Sequence, residues 1–123
     1  MKKIKVLAGG CFNKIHEGHI YFLNRAKSFG FLTVVLANDR NNKKRYALPA
    51  KQRKENLKKL KIADRIIVGD ENDYMKTVDR VKPDIIVLGY DQKLGKGIED
   101  KLKGIAIVRL TKFGEYSTRA LKR

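Results

Sequence analysis

The sequence has few of the residues that form disulfides, metal sites or membrane spans. Cys11 is the one cysteine among 123 residues, so no internal disulfide can form, which fits a reducing cytosol. Two histidines with one cysteine also fall short of a zinc signature, and no metal ligands are predicted. No apolar run approaches the roughly 18 to 20 residues of a membrane helix, and the first lysines lead into a predicted strand rather than a signal peptide. We therefore expect a cytoplasmic protein without a membrane partner.

Proline and acidic residues are also scarce. With 2 prolines, 10 glycines and 42% hydrophobic residues, the chain can build a compact core, which excludes a disordered tail or a fibrous repeat. The length predicts one domain over residues 1–123. The 13 acidic residues are outnumbered by 29 lysines and arginines, which gives a formal net charge of +16.

This positive charge is concentrated in the first half of the chain. Residues 1–61 hold 16 basic and 3 acidic side chains, and within residues 40–61 Glu55 is the single acid among ten basic residues. Such a local field favours a phosphate-bearing partner. A solvated lysine-rich face, or a lysine-rich composition from a hot or AT-rich source, would also produce it. Enrichment in thermophiles, however, normally raises glutamate together with lysine.

Short apolar runs alternate with helical patterns along the chain. Strands are predicted at residues 4–8, 32–37, 65–68, 84–89 and 105–110. Helices are predicted from His19 to a cap at Gly30, from Pro49, and over about 73–81 and about 98–103. The alternation predicts an α/β fold, a single-domain, doubly wound, Rossmann-like parallel sheet of about five strands.

In such a sheet, ligands bind beyond the carboxyl ends of the strands, near the switch in strand order. The first loop at these ends places His16 and His19 on either side of Gly18 at a predicted helix start. Unpaired backbone N–H groups and the helix dipole can hold a phosphate there, and both imidazoles can bind its oxygens. The loop contains neither the Gly-x-Gly-x-x-Gly fingerprint of dinucleotide-binding folds nor a Walker motif.

Residues 9–13, Gly-Gly-Cys-Phe-Asn, followed by residues 16–19, His-Glu-Gly-His, resemble a known signature. It belongs to the small nucleotidyltransferases with a His-x-Gly-His motif, the cytidylyltransferase-like family. This family includes glycerol-3-phosphate cytidylyltransferases, archaeal FAD synthases and the adenylyltransferase part of bacterial heptose enzymes. Further segments match in order over essentially the whole chain, namely Lys44, Gln52-Arg53, residues 83–92 and Ser117-Thr118-Arg119.

The resemblance implies nucleotidyl transfer, in which a phosphate oxygen of the acceptor attacks the α-phosphorus of a nucleoside triphosphate and pyrophosphate leaves. It implies that His16 and His19 contact the α- and β-phosphate oxygens, and that Arg119 is the third catalytic residue. Mg²⁺ is expected with the triphosphate, and Lys44 and Arg53 are expected to face the acceptor or the triphosphate. The other nucleotide-binding residues implied are Gly10, Cys11, Phe12, Glu17, Gly18, Gly89, Tyr90, Asp91, Ser117 and Thr118, of which the last two hold the leaving pyrophosphate.

Simpler interpretations stand beside these roles. His16 and His19 can form only local hydrogen bonds at a helix start, Asp91 can cap a segment, and Ser117 and Thr118 can be the N-cap of a last helix. The chain also departs from the family at two positions, since Cys11 stands where many relatives have Thr or Ser, and Asn13 where many have Asp. These departures keep open a regulatory protein that binds a nucleotide without turning it over.

Residues 89–92, Gly-Tyr-Asp-Gln, are more similar to the Gly-x-Asp-Gln of archaeal FAD synthases than to the Gly-Asp-Asp-Trp of bacterial cytidylyltransferases. This resemblance favours adenylyl transfer from ATP to FMN. The alternative is cytidylyl transfer from CTP to glycerol 3-phosphate or another polyol or sugar phosphate. A nucleic-acid binder is less favoured, because Tyr46 is the only aromatic residue within residues 40–61. The family also suggests a homodimer.

Overall fold

One twisted sheet organises the chain, which the computed structural model describes over residues 3–39, 47–69, 74–89, 101–102, 104–110 and 116–118. Within these ranges the strands are β1 (Lys5–Gly10), β2 (Phe31–Leu36), β3 (Arg65–Val68), β4 (Ile85–Leu88), β5 (Ala106–Leu110) and β6 (Tyr116–Thr118). The helices are α1 (Glu17–Lys27), α2 (Ala50–Lys58) and α3 (Tyr74–Val81). The strand order is β3-β2-β1-β4-β5-β6.

The predicted doubly wound parallel sheet is confirmed. Strands β1 to β5 pair in parallel, and the strand order reverses between β1 and β4. Each predicted strand overlaps the observed one, and β3 has the predicted bounds. The predicted helix at about 98–103 lies largely outside the described residues. The crevice at the carboxyl ends of β1 and β4 is therefore the expected ligand site of this topology.

Ser117 and Thr118, which were expected at the start of a last helix, lie in a strand. Tyr116–Thr118 form β6, which pairs antiparallel with β5 in the register Leu110 with Tyr116 and Val108 with Thr118. The exposed edge of β5 offers unpaired backbone groups, and a segment rich in aromatic and β-branched residues fits a pleated edge. The N-cap interpretation of Ser117 and Thr118 stays a prediction, because the residues after Thr118 lie outside the described part of the chain. Arg119 lies outside the described residues.

Both faces of the central strands β1, β2 and β4 are buried, as their nearly continuous apolar runs require. Along β1, Val6 and Ala8 point toward α1 and α2, whereas Leu7 points toward α3. The first layer buries Leu23 and Ala26 of α1 and Leu57 of α2, and the second buries Val78 and Val81 of α3. The rigid core therefore fixes where each strand ends, and these ends carry the candidate site.

Two aspartates hold the opposite, amino ends of neighbouring strands together. Asp84, just before β4, accepts a hydrogen bond on Oδ2 from the N–H of Lys5 at 2.9 Å. Asp64, just before β3, accepts one from the N–H of Leu32 at 2.8 Å and a second from Lys27 Nζ. Burial alone would raise the pKa of the Asp64 carboxyl. The hydrogen bonds from Lys27 and Leu32, with the charges of Lys27 and Lys3, outweigh burial and lower it below its ordinary value of 3.8.

This pKa predicts a pH-dependent loss of stability in Asp64→Asn. Because the carboxyl has a lower pKa in the folded chain, ionised Asp64 stabilises the fold above pH 3.8 and stops doing so as the pH falls through the folded value. We expect the variant to lose about 1 kcal/mol of unfolding free energy at neutral pH and less near pH 3, which lies below the ordinary pKa of 3.8. Urea denaturation at both pH values measures this, with Asp79→Asn on the exposed face of α3 as the matched control. An equal loss at both pH values would contradict the ionic contribution.

Candidate active site

β1 ends in two glycines whose missing side chains allow close packing. A Cβ on Gly9 would lie 2.8 Å from Val35 Cγ1 and 3.1 Å from the Val35 carbonyl oxygen of the neighbouring strand. A Cβ on Gly10 would lie 2.9 Å from Cε2 of Phe12. Phe12 itself is buried and has a φ of 52°, a conformation that costs a non-glycine residue about 1–2 kcal/mol. The chain therefore turns sharply after β1 and places the Phe12 ring under the loop.

His16 and His19 cap the start of α1 through hydrogen bonds with the backbone of its first turn. His16 is the N-cap residue, and its Nδ1 accepts a hydrogen bond from the N–H of Gly18 at 3.0 Å. The N–H of His16 donates to Nδ1 of His19 at 3.2 Å. The two rings lie 4.1 Å apart between centroids at an interplanar angle of 36°. This reciprocal arrangement is a capping box in which imidazole nitrogens replace the usual side-chain oxygens.

These bonds determine which nitrogen of each ring carries the proton. A neutral imidazole has one N–H donor and one acceptor nitrogen. Since Nδ1 is the acceptor in both His16 and His19, the proton of each neutral ring is on Nε2. The pair therefore provides two Nε2–H donors close to the positive end of the α1 dipole. Donors at such a position can bind the anionic oxygens of a polyphosphate.

Gly18 and Phe12 fix the positions of these rings. A Cβ on Gly18 would lie 2.9 Å from Cε1 and 3.1 Å from Nδ1 of His16, so the His16 ring lies where a larger residue would place its side chain. The Phe12 ring contacts His19, with centroids 5.3 Å apart at 54°. The central glycine of the motif is thus needed for the His16 ring. Glu17 occupies the exposed first turn of α1, where its charge suits the dipole.

Arg53, which the resemblance implies faces the acceptor or the triphosphate, is held inside the protein by bonds to the chain itself. The side chain is fully buried and donates from Nε to the Leu48 carbonyl at 2.8 Å and from Nη1 to the Cys11 carbonyl at 3.0 Å. Its Nη2 pairs with Asp39 Oδ1 at 3.1 Å. A direct contact with the acceptor or the triphosphate stays a prediction.

Sequence reasoning missed Asp39 and assigned no role to Asn13. Asp39 Oδ1 accepts from the N–H of Ala50 at 2.7 Å and so caps α2, although it lies 11 positions upstream. Asn13 is buried, and its Oδ1 accepts from the N–H of Leu48 at 2.9 Å. An aspartate could accept the same bond, so this contact explains how Asn13 can replace it. An Asp eleven residues before a helix is no recognisable cap in sequence.

At the end of β4, an arginine that the sequence did not single out contacts Gly89, one of the predicted nucleotide-binding residues. Arg109 of β5 donates from Nη1 to the Gly89 carbonyl at 3.1 Å. Gly89 thus lies at the carboxyl edge beside β1, as predicted. Cys11 is half-buried, with a free thiol. The predicted residues Lys44, Tyr90, Asp91 and Arg119 lie outside the described residues.

Comparison with known proteins finds similarity over most of the chain. The family model described as Cytidylyltransferase-like matches residues 7–114. A FAD synthase from Thermoplasma volcanium is 42% identical over 119 residues, covering 92% of this chain and 84% of that protein. A FAD synthase from Methanohalophilus mahii is 40% identical over 116 residues, covering 88% of this chain and 82% of that protein. The crystal structure of a lipopolysaccharide core biosynthesis protein from Thermoplasma volcanium matches with a TM-score of 0.82 at 43% identity, covering 92% of this chain and 100% of that one.

Proposed function

This chain belongs to the cytidylyltransferase-like family, and we propose that it transfers the adenylyl group of ATP to the phosphate of FMN with release of pyrophosphate. The family match and the FAD synthase relatives confirm the resemblance seen in the His-x-Gly-His loop. The chain is a nucleotidyltransferase. One observation carries the chemistry, namely the mutual capping of His16 and His19, which leaves Nε2–H as the donor of each ring. The choice of ATP and FMN is supported by the FAD synthase relatives and by the Gly-Tyr-Asp-Gln sequence at residues 89–92.

In this proposal a phosphate oxygen of FMN attacks the α-phosphorus of ATP in line, the new P–O bond forms, and the bond to the β-phosphate oxygen breaks. No enzyme nucleophile is required, so catalysis consists of positioning the reactants and stabilising charge. His16 and His19 donate from Nε2 to the α- and β-phosphate oxygens, where negative charge increases during the reaction. His19, whose ring contacts Phe12, is assigned the larger share of transition-state stabilisation.

The remaining site residues are proposed from the family resemblance. Gly10, Cys11, Phe12, Glu17 and Gly18 form the phosphate loop. Gly89, Tyr90 and Asp91 recognise the base. Ser117, Thr118 and Arg119 hold the leaving pyrophosphate, and Lys44 faces the acceptor.

Mg²⁺ is proposed to enter with the triphosphate, whose oxygens are its natural ligands. Within the described parts of the chain, no three His, Cys, Asp or Glu side chains are grouped to hold a metal ion. The Asp39 carboxylate is already engaged by Arg53 and the N–H of Ala50. When bound, the ion neutralises phosphate charge, and the histidine contacts proposed above do not depend on it.

No helix among the described residues is long and apolar enough to cross a membrane. We propose that the chain works in the cytoplasm, in agreement with its single cysteine. A homodimer, suggested by the family, is testable by light scattering of the purified protein.

A pyrophosphate-release assay with Mg²⁺ tests the substrate pair directly. ATP and CTP are each combined with FMN, glycerol 3-phosphate and a sugar 1-phosphate. We expect release with ATP and FMN and background release with the other five pairs. Release with CTP and glycerol 3-phosphate alone would replace our proposal by the cytidylyltransferase alternative. Release with the sugar phosphate alone would replace it by a sugar-phosphate nucleotidyltransferase.

The same assay separates an enzyme from a non-catalytic binder. If no pair releases pyrophosphate while ATP or CTP still binds in calorimetry, the chain is a nucleotide-binding protein without turnover. Binding of nucleic acid would be recognised by its steep dependence on salt and by its persistence after loss of both histidines.

A further inference from the structure

Arg53 lies where three segments of the chain meet, and its guanidinium contacts all three. Nη1 reaches the Cys11 carbonyl in the loop after β1, Nε reaches the Leu48 carbonyl just before α2, and Nη2 reaches Asp39 just after β2. Three different nitrogens are used, which requires the planar, forked geometry of arginine. A lysine at this position could not donate along these three directions at once.

The side chain is buried more completely than an ion pair alone would explain. Arg53 has 0% of its side-chain surface exposed, whereas its carboxylate partner Asp39 has 65% exposed. Removing a guanidinium from water is costly, and a half-solvated carboxylate repays only part of that cost. Two of the three described bonds go to neutral backbone carbonyls. The arrangement therefore fixes backbone geometry rather than maximising ionic stabilisation.

The bond to Cys11 acts on the peptide that leads into Phe12. That peptide precedes a residue held at a φ of 52°, so its orientation decides whether Phe12 keeps this conformation. The Phe12 ring in turn contacts His19, 5.3 Å away between centroids. A second connection joins the loop after β1 to the start of α2. Asn13 Oδ1 accepts a hydrogen bond from the N–H of Leu48, and Arg53 donates to the Leu48 carbonyl. The phosphate loop is thus held against the start of α2 from both sides of Leu48.

We propose that Arg53 is a positioning residue, which fixes the Cys11–Phe12 peptide and through the Phe12 ring the place of His19, instead of binding phosphate itself. The expected change in kcat rests on the proposed function. The expected displacement of His19 rests on the geometry alone. Asp39 assists by holding the guanidinium and the first turn of α2 with the same oxygen.

Arg53→Lys tests the role, because it keeps the positive charge and removes the forked geometry, and Lys54→Ala on the same helix is the control for a side-chain change outside these contacts. We expect Arg53→Lys to lower kcat for ATP and FMN about tenfold or more, because a displacement of about 1 Å is costly in catalysis. KM values for both substrates should change by no more than about twofold, because uniform substrate binding is retained. A rise in either KM at unchanged kcat would overturn the proposal and restore a substrate-contact role.

A spectroscopic measurement makes the test independent of turnover. The chain has only two histidines, so the imidazole NMR signals are assigned with a single His16→Gln variant. Without any ligand, Arg53→Lys should shift the His19 signals, because the ring current of Phe12 acts on His19, and Lys54→Ala should not. Unchanged His19 signals would overturn the proposal.

Asp39→Ala keeps the test decisive if the buried Arg53→Lys does not fold. Asp39 is mostly exposed, so water can replace its carboxylate beside Arg53, and we expect this variant to fold with reduced stability. It should shift the His19 signals in the same direction by a smaller amount, and an unshifted spectrum would contradict the proposal. Absence of turnover in the wild-type chain would refute the proposed function while leaving the NMR result on Arg53 valid.

Discussion

Replacing His19 with alanine is expected to lower kcat by about two to three orders of magnitude, the usual effect of removing one donor to a developing negative charge. The Nε2–H of His19 is the donor that the proposal assigns to the transition state. KM for ATP should change far less, because the remaining phosphate contacts form in the ground state too. Steady-state kinetics with ATP and FMN measures both quantities.

The fold should survive this change. His19 is half-buried, and Nδ1 contributes one capping hydrogen bond from the N–H of His16, whose loss costs about 1 kcal/mol. Circular dichroism of His19→Ala should therefore match the wild type, with a modest decrease in melting temperature. Full activity in a folded His19→Ala would contradict the assignment.

Two further variants separate capping from catalysis at this position. In His19→Asn, the amide oxygen lies at the distance of Nδ1 from the backbone and can accept the bond from His16, but nothing reaches the place of Nε2. In His19→Gln, the amide nitrogen reaches the place of Nε2 and can donate, but the cap is lost. We expect His19→Asn to be as inactive as His19→Ala and more stable, and His19→Gln to retain more activity. The reverse ranking of activities would show that capping is the essential role.

Gly18→Ala is expected to lower kcat about tenfold to a hundredfold without destabilising the protein, because small displacements of catalytic groups carry costs of this size. The added methyl group would lie 2.9 Å from His16 Cε1, so the exposed His16 ring must swing away and lose its bond to the N–H of Gly18. The lost cap costs about 1 kcal/mol, and the higher helix propensity of alanine regains about the same amount.

The decisive feature of Gly18→Ala is a fall in activity at nearly constant melting temperature. Asn24→Ala, at an exposed position of the same helix, is the control for helix propensity and should keep full activity. If Gly18→Ala were fully active, the position of the His16 ring would not matter for the reaction. A large loss of stability would instead mean that the ring cannot move aside.

The five parallel strands could be predicted because each is a short apolar run between polar or glycine-containing segments. Residues 65–68 show this well, since the Arg-Ile-Ile-Val run was predicted with its observed bounds. β6 could not be predicted in this way. Tyr116–Thr118 is only three residues long, and it forms a strand because the edge of β5 is available, which is a property of the fold rather than of the segment.

The histidine loop shows why two interpretations of one motif need not exclude each other. Local hydrogen bonding at a helix start was the simpler alternative for His16 and His19, and both rings do form such bonds through Nδ1. The same bonds set the tautomer that suits phosphate binding. Sequence spacing indicates that both residues lie in the first turn, but only the geometry distinguishes the two nitrogens.

The contacts of Arg53 were beyond sequence reasoning for a different reason. Its partners Cys11 and Asp39 lie 42 and 14 positions away, and they meet only after β1, β2 and α2 have packed. An arginine near a basic loop resembles a phosphate ligand in sequence, because burial of its guanidinium cannot be read from neighbouring residues. Charge patterns predict the sign of a partner, whereas the place of each charge depends on the tertiary structure.

Adenylyl transfer itself is tested most directly by following the α-phosphate of ATP. ATP labelled with radioactive phosphorus at the α position is incubated with FMN, Mg²⁺ and the wild-type chain, and the products are separated by chromatography. The account predicts that the label appears in FAD, and that label placed at the γ position appears in pyrophosphate. Label from the α position that remains in ATP, or that appears in ADP, would contradict attack of FMN on the α-phosphorus and with it the proposed function.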